Sequence, residues 1–151
     1  MMEKTTNLEI GQVLNFIPPE LDGEDNKEHN RRYMLVIDNN IENNIVKLLN
    51  VSKLLGKENK MIYDSNLPMQ NYFPFVQPSF VKLKTVYEIE NFDELTNYIS
   101  YNGKKVTEQQ LNIIFQKKQE YDEKYKNSNS IKIDKHTFLE INEKESRVWK
   151  F

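Results

Sequence analysis

Apolar and polar residues alternate most cleanly over residues 79–89 (SFVKLKTVYEI). Val81, Leu83, Tyr87 and Ile89 fall on one side, with Lys82, Lys84 and Glu88 on the other. A period of two places successive side chains on opposite faces, so this stretch predicts a half-buried strand. Two further strands are predicted upstream. Tyr33-Met34-Leu35-Val36-Ile37 is an unbroken apolar run, as in a central strand covered on both faces, and residues 45–51 form a second run ending at Ser52. The polar stretch 39–44 between them reads as a turn. Residues 8–17 predict an earlier strand, stopped by Pro18-Pro19, which lack N–H donors. Residues 53–60 read as a turn or one helical turn, and Met61 to Asp64 as a short edge strand. Residues 65–79 hold three prolines and read as an extended loop whose aromatics, Tyr72, Phe73 and Phe75, plug the edge of the core.

The period then lengthens. Asn91 with Glu94 three residues on opens a predicted helix in which Leu95, Tyr98 and Ile99 share a face, closed at Asn102-Gly103. Thr107 with Gln110 opens a second, with an apolar stripe of Leu111, Ile114, Phe115, Tyr121 and Tyr125 ending near residue 126. After the polar break at residues 127–130, the segment IKIDKHTFLEINEKESRVWKF reads as two or three short strands. Strands preceding helices, rather than alternating with them, imply a β-rich α+β chain with a small antiparallel sheet or barrel and helices packed on it. The division expected is a barrel domain over residues 1–127 with its C-terminal helix, and an accessory β-rich tail over residues 128–151.

Composition narrows the chemistry. With 151 residues the chain suits one domain with a core, and the eight Tyr and eight Phe argue against disorder. There is no Cys, so disulfides, thiolate catalysis and thiolate zinc sites are excluded. Two His residues, His29 and His136, do not suggest a metal cluster, and no metal or cofactor is expected. No apolar run reaches the roughly 20 residues of a membrane span, and the N-terminus has no signal-like apolar core, so a cytoplasmic location away from membranes is expected.

The net charge is −2, but unevenly spread. Residues 1–30 hold two Lys against seven acids, a net of −5, and residues 31–90 hold eight cations against six acids, a net of +2. The acidic excess falls largely in residues 18–30, which show no periodicity and read as a long mobile loop, expected to gate a site beside it. Directly after this loop come Arg31 and Arg32. If the two central strands pair across the polar turn, the start of the first lies beside the end of the second. Two guanidiniums and the Ser52 hydroxyl then share one end of a sheet. Guanidinium is a planar, permanently charged fork suited to phosphate.

The order of these residues resembles the MazF/PemK (Kid) family of bacterial toxins. Gly11-Gln12-Val13 matches the family's opening strand, Arg32-Tyr33-Met34-Leu35-Val36-Ile37 its Arg-Pro-apolar strand after a long loop, and Leu49-Asn50-Val51-Ser52-Lys53 its strand ending in Thr or Ser. Lys84-Thr85-Val86 matches an Arg-Thr-apolar pattern, and Thr107-Glu108-Gln109-Gln110-Leu111 the closing helix. The resemblance covers about residues 8–125, by order and spacing. It implies a small, partly open antiparallel β-barrel of the PemK/CcdB kind with two helices packed on it, extended here by the β tail. It further implies a metal-independent endoribonuclease acting on single-stranded RNA, a protein antitoxin as partner, and a homodimer. Tyr33 stands where the family has Pro, and no acid precedes Lys84-Thr85 at Phe80-Val81-Lys82, where some members have a catalytic one. The same barrel also carries non-enzymatic binding toxins, such as gyrase poisons, and an inactive RNA-binding relative is a further alternative.

Under this resemblance Arg32 stabilises charge on the phosphoryl oxygens, Ser52 orients the phosphate, and His29 or Glu28 takes the 2′-hydroxyl proton. His29 suits that role because an imidazole titrates near neutrality. Arg31, Lys53, Lys82 and Lys84 are candidate RNA-binding cations. No general acid is evident.

Overall fold

The computed structural model describes residues 8–21, 24–26, 28 and 30–148, of which it fixes the side chains up to residue 143, Glu24 excepted. Two long strands form its centre: β4 (Arg32–Asn40) and β5 (Ile45–Lys53). They pair antiparallel, Tyr33 opposite Val51 and Asn40 opposite Ile45, across a turn that Asn44 closes at φ 58°. Asn tolerates this left-handed conformation better than most residues. β1 (Val13–Phe16) lines the outer side of β4, and β7 (Ser79–Glu90) the outer side of β5. The free edge of β7 carries two short strands end to end: β6 (Asn66–Pro68) on its first half and β8 (Ser130–Ile133) on its second. The β8 pairing is the one parallel ladder among the described residues, so the six strands make an open, mostly antiparallel mixed sheet. A separate two-residue ladder joins β2 (Glu20–Leu21) to β3 (Glu24–Asp25).

Both faces of the sheet are covered, which is why β4 is apolar without alternation. Leu14, Phe16, Met34, Val36 and Leu48 point to one face. Val13, Leu35, Leu49 and Val51 point to the other. β7 serves both faces although its odd-numbered residues stay buried throughout. Two steps of β5, Leu49 to Val51, span five of β7, Val81 to Val86. The three extra residues form a bulge, and an odd insertion reverses facing. Val81 and Leu83 therefore join the second core, and Tyr87 and Ile89 the first.

Helix α1 (Glu108–Tyr125) covers the second core with Leu111 and Ile114. It begins as expected: the Thr107 hydroxyl accepts from Gln110 N–H, and Lys126 ends it in the left-handed region. Helix α2 (Lys135–Val148) covers the first core with Phe138, whose ring meets Phe16, Phe92 and Tyr98 at 4.9, 5.3 and 4.9 Å.

Three expectations are corrected. The tail after residue 128 is not β-rich: it supplies one strand and then α2, and Ile133 and Phe138 are part of the core. The predicted helix at 91–102 is two 3-10 segments, Asp93–Tyr98 and Tyr101–Gly103. The Asn91 side chain donates to Asn39 Oδ1, and the N-cap of the first segment is Phe92, with no side-chain capping bond. The edge strand expected at 61–64 lies a few residues later, as β6, because Glu58–Ile62 winds into a 3-10 segment. Loop 18–30 is organised, in its described part, around buried Asn26, whose amide donates to the carbonyls of Pro18 and Asn30 while its oxygen accepts from Asn30 N–H.

Candidate functional site

The antiparallel ladders bring three strand ends together. β4 starts, β5 ends and β7 starts at one end of the sheet, with Ser52 opposite Phe80 and Lys53 opposite Ser79. A pocket of about 400 Å³ opens there. Arg31, Arg32, Lys53 and Lys57 line it, with Ser52 and Ser79, and among the described residues no carboxylate does.

Arg31 is exposed and Arg32 half-exposed. One Arg32 Nη donates to the Arg31 carbonyl at 3.0 Å, and one Arg31 Nη reaches the Asn15 carbonyl at 3.4 Å. Among the described residues neither has a carboxylate partner. Most of each fork's N–H groups thus remain available to an anion.

Lys57 completes the cationic wall. Gly56, at φ 83°, permits the turn that folds the chain back after β5, and Lys57 N–H then donates to the Leu54 carbonyl. This aims Lys57 Nζ at Ser52 Oγ, 2.9 Å away. Burial lowers the lysine's pKa, and the positive charges of Lys82, Lys60, Arg32 and Lys53 lower it further.

The opposite wall is aromatic. Tyr33 and Tyr101 stack with centroids 5.6 Å apart, and Phe75 meets both edge-on at 5.7 and 5.5 Å. Burial and a hydrogen bond with Tyr33 raise the Tyr101 pKa, so this phenol holds its proton well above neutrality. Beneath the wall, buried Asn50 donates to the Tyr33 carbonyl at 2.9 Å and ties β5 to the start of β4 beside the bulge. Its Oδ1 has no hydrogen-bond partner among the described residues.

Of the residues singled out from sequence, Arg31, Arg32, Ser52 and Lys53 converge on this pocket. Lys82 sits on β7 opposite Asn66, close enough to Lys57 to shift its titration. Lys84 is exposed, does not line the pocket, and presents its carbonyl to the Asn127 amide beyond α1. Glu28 is exposed, accepts from the Asn30 amide, and does not line the pocket either. His29 lies outside the described residues. The sequence reading missed Lys57, for which the Gly56-Lys57 turn just after a strand was the available signal, and Tyr101. Phe75 was read as core plugging; it does that and also walls the pocket.

Among the described residues no group of three or more His, Asp or Glu is placed to hold a metal ion. None of the described helices is long and apolar enough to cross a membrane. No protein-family model matches the chain, and no curated protein matches it.

Proposed function

We propose that this protein is an endoribonuclease toxin that cleaves single-stranded RNA without a metal, acts as a homodimer and is restrained by a protein antitoxin. One observation carries the reading. Arg31, Arg32, Ser52 and Lys53, separated by up to twenty-two positions in sequence, meet in one pocket that, among the described residues, no carboxylate lines. Such a pocket suits a phosphodiester: guanidiniums offer paired donors to its oxygens, and lysines add charge. The aromatic wall beside it offers apolar faces to an unpaired base. In this reading the bulged sheet is a partly open barrel of the PemK kind. The 2′-hydroxyl attacks phosphorus, Arg32 stabilises the charge that builds on the phosphoryl oxygens, and Ser52 orients the phosphate. The products carry 2′,3′-cyclic phosphate or 3′-phosphate ends.

A second reading is favoured by one feature. No described imidazole or carboxylate lines the pocket, so the residues that hold the phosphate include no ordinary general base. A protein that binds RNA without cutting it fits that feature. Incubating the purified protein with single-stranded RNA, with and without chelator, separates the two. Cleavage that survives chelation, with cyclic phosphate ends, is expected. Binding without cleavage would leave the second reading.

A further inference from the structure

We propose that Lys57 is the proton donor of this site, protonating the 5′-oxygen that leaves as the RNA chain breaks. This rests on the endoribonuclease reading and supplies the general acid that the sequence does not reveal.

The geometry is specific. Lys57 lines the pocket together with Arg31, Arg32 and Ser52, and its Nζ donates to Ser52 Oγ at 2.9 Å. That contact fixes the direction of the ammonium. It also leaves the serine O–H free to point at a phosphoryl oxygen. The charges that lower the Lys57 pKa are those of Lys82 from β7, Lys60 from the 3-10 segment, Arg32 from β4 and Lys53 from β5. Together with partial burial they loosen its proton relative to an ordinary lysine. A bound phosphodiester brings the negative charge that keeps the ammonium protonated until the leaving oxygen develops charge.

Several other groups of the pocket do not suit the role. A guanidinium does not release its proton in a protein. The Tyr101 phenol is held more tightly than usual. Ser52 and Ser79 are weaker acids still.

In the cleavage step, the 2′-oxygen forms a bond to phosphorus and its proton passes to a solvent base. The bond from phosphorus to O5′ breaks, its electron pair stays on O5′, and Lys57 Nζ supplies the proton that neutralises it. The neutral amine then regains a proton from water.

A leaving atom that needs no proton tests this directly. Full-length protein would be assayed on an RNA oligonucleotide containing its mapped cut site, and on the same oligonucleotide with sulfur replacing the bridging 5′-oxygen. Lys57→Ala should cut the oxygen substrate about 100-fold or more slowly than wild type, the usual scale for removing a general acid. It should cut the sulfur substrate at close to the wild-type rate. Lys57→Arg keeps the charge but not a releasable proton, and should behave likewise. Arg32→Ala, its fold checked by circular dichroism, should be slow on both substrates. A Lys57→Ala protein equally slow on both, or as fast as wild type on the oxygen substrate, would overturn the donor role and leave the nuclease reading intact. A wild-type protein that cuts neither substrate overturns both.

Discussion

At the scale of single residues, two side chains separate chemistry from stability. If Arg32 stabilises the phosphoryl transition state, Arg32→Ala should slow RNA cleavage about 100-fold or more in single-turnover assays. Arg32→Lys should not restore the rate, because an ammonium lacks the paired, planar donors of the fork. Full cleavage by a folded Arg32→Ala protein would sink the assignment. Asn142 is the opposite case. It is buried on α2, accepts from Ile17 N–H at 2.7 Å, and donates to the carbonyls of Ile17 and Phe138 at 3.1 and 2.9 Å. Asn142→Ala strands both backbone groups of Ile17 away from water, at roughly 1–3 kcal/mol for each buried group left unpaired. Urea unfolding should show that loss, with the cationic pocket unchanged. The site was legible where an antiparallel hairpin alone dictates proximity: Arg32 and Ser52 had to meet once β4 and β5 paired. Lys57 was not, because its position depends on the Gly56 turn, whose direction no periodicity encodes.

At the scale of elements, the C-terminal segment departs furthest from its sequence pattern. IKID alternates, and the structure does make a strand there, at Ser130–Ile133. The helix after it was hidden because its buried face carries Asn142 where an apolar residue would have completed the stripe. Its start signal was present in Asp134, whose carboxylate accepts from Thr137 N–H at 2.7 Å. That hydrogen bond also lowers the Asp134 pKa. At the other suspected helix, residues 91–102, the N-cap signal was real in sequence but the Asn91 amide is engaged with Asn39. Thr107 and Gln110 gave a true start, and the Thr107 hydroxyl does accept from Gln110 N–H. The structure predicts that the tail is required for folding. Phe138→Ala should cost about 3–5 kcal/mol, the range for emptying an aromatic site in a core. Deleting residues 128–151 removes that ring, Ile133 and the β8 ladder together. The truncated chain should lose its cooperative thermal transition by circular dichroism. A truncated protein that melts cooperatively near the full-length temperature would show that the sheet does not need its second cover.

At the scale of the molecule, exposed apolar groups and uneven charge both bear on partners. Val76, at the pocket rim, is 83% exposed, with Phe73 47% exposed a few residues before it. Burying these side chains against a second copy would support the proposed homodimer, and light scattering at micromolar concentration should then give twice the chain mass. Charge supplies the sharper test. The chain is net negative, yet Arg31, Arg32, Lys53 and Lys57 converge on one end of the sheet, with Lys60 and Lys82 within electrostatic reach. Binding to single-stranded RNA should therefore weaken with salt in proportion to these local contacts rather than to net charge. Each neutralised phosphate adds about −0.7 to the slope of log affinity against log salt for a single strand, so four contacts predict a slope of about −3. Arg31→Ala combined with Lys53→Ala should make the slope shallower by about 1.4, and should weaken different RNA sequences alike, because phosphate contacts carry no sequence information. Removing the loop acids Asp25 and Glu28, both exposed, should strengthen binding at low salt and have little effect once screening is complete. A salt slope that stays unchanged in the double variant would move RNA away from this end of the sheet and overturn the reading of this pocket as a phosphodiester site.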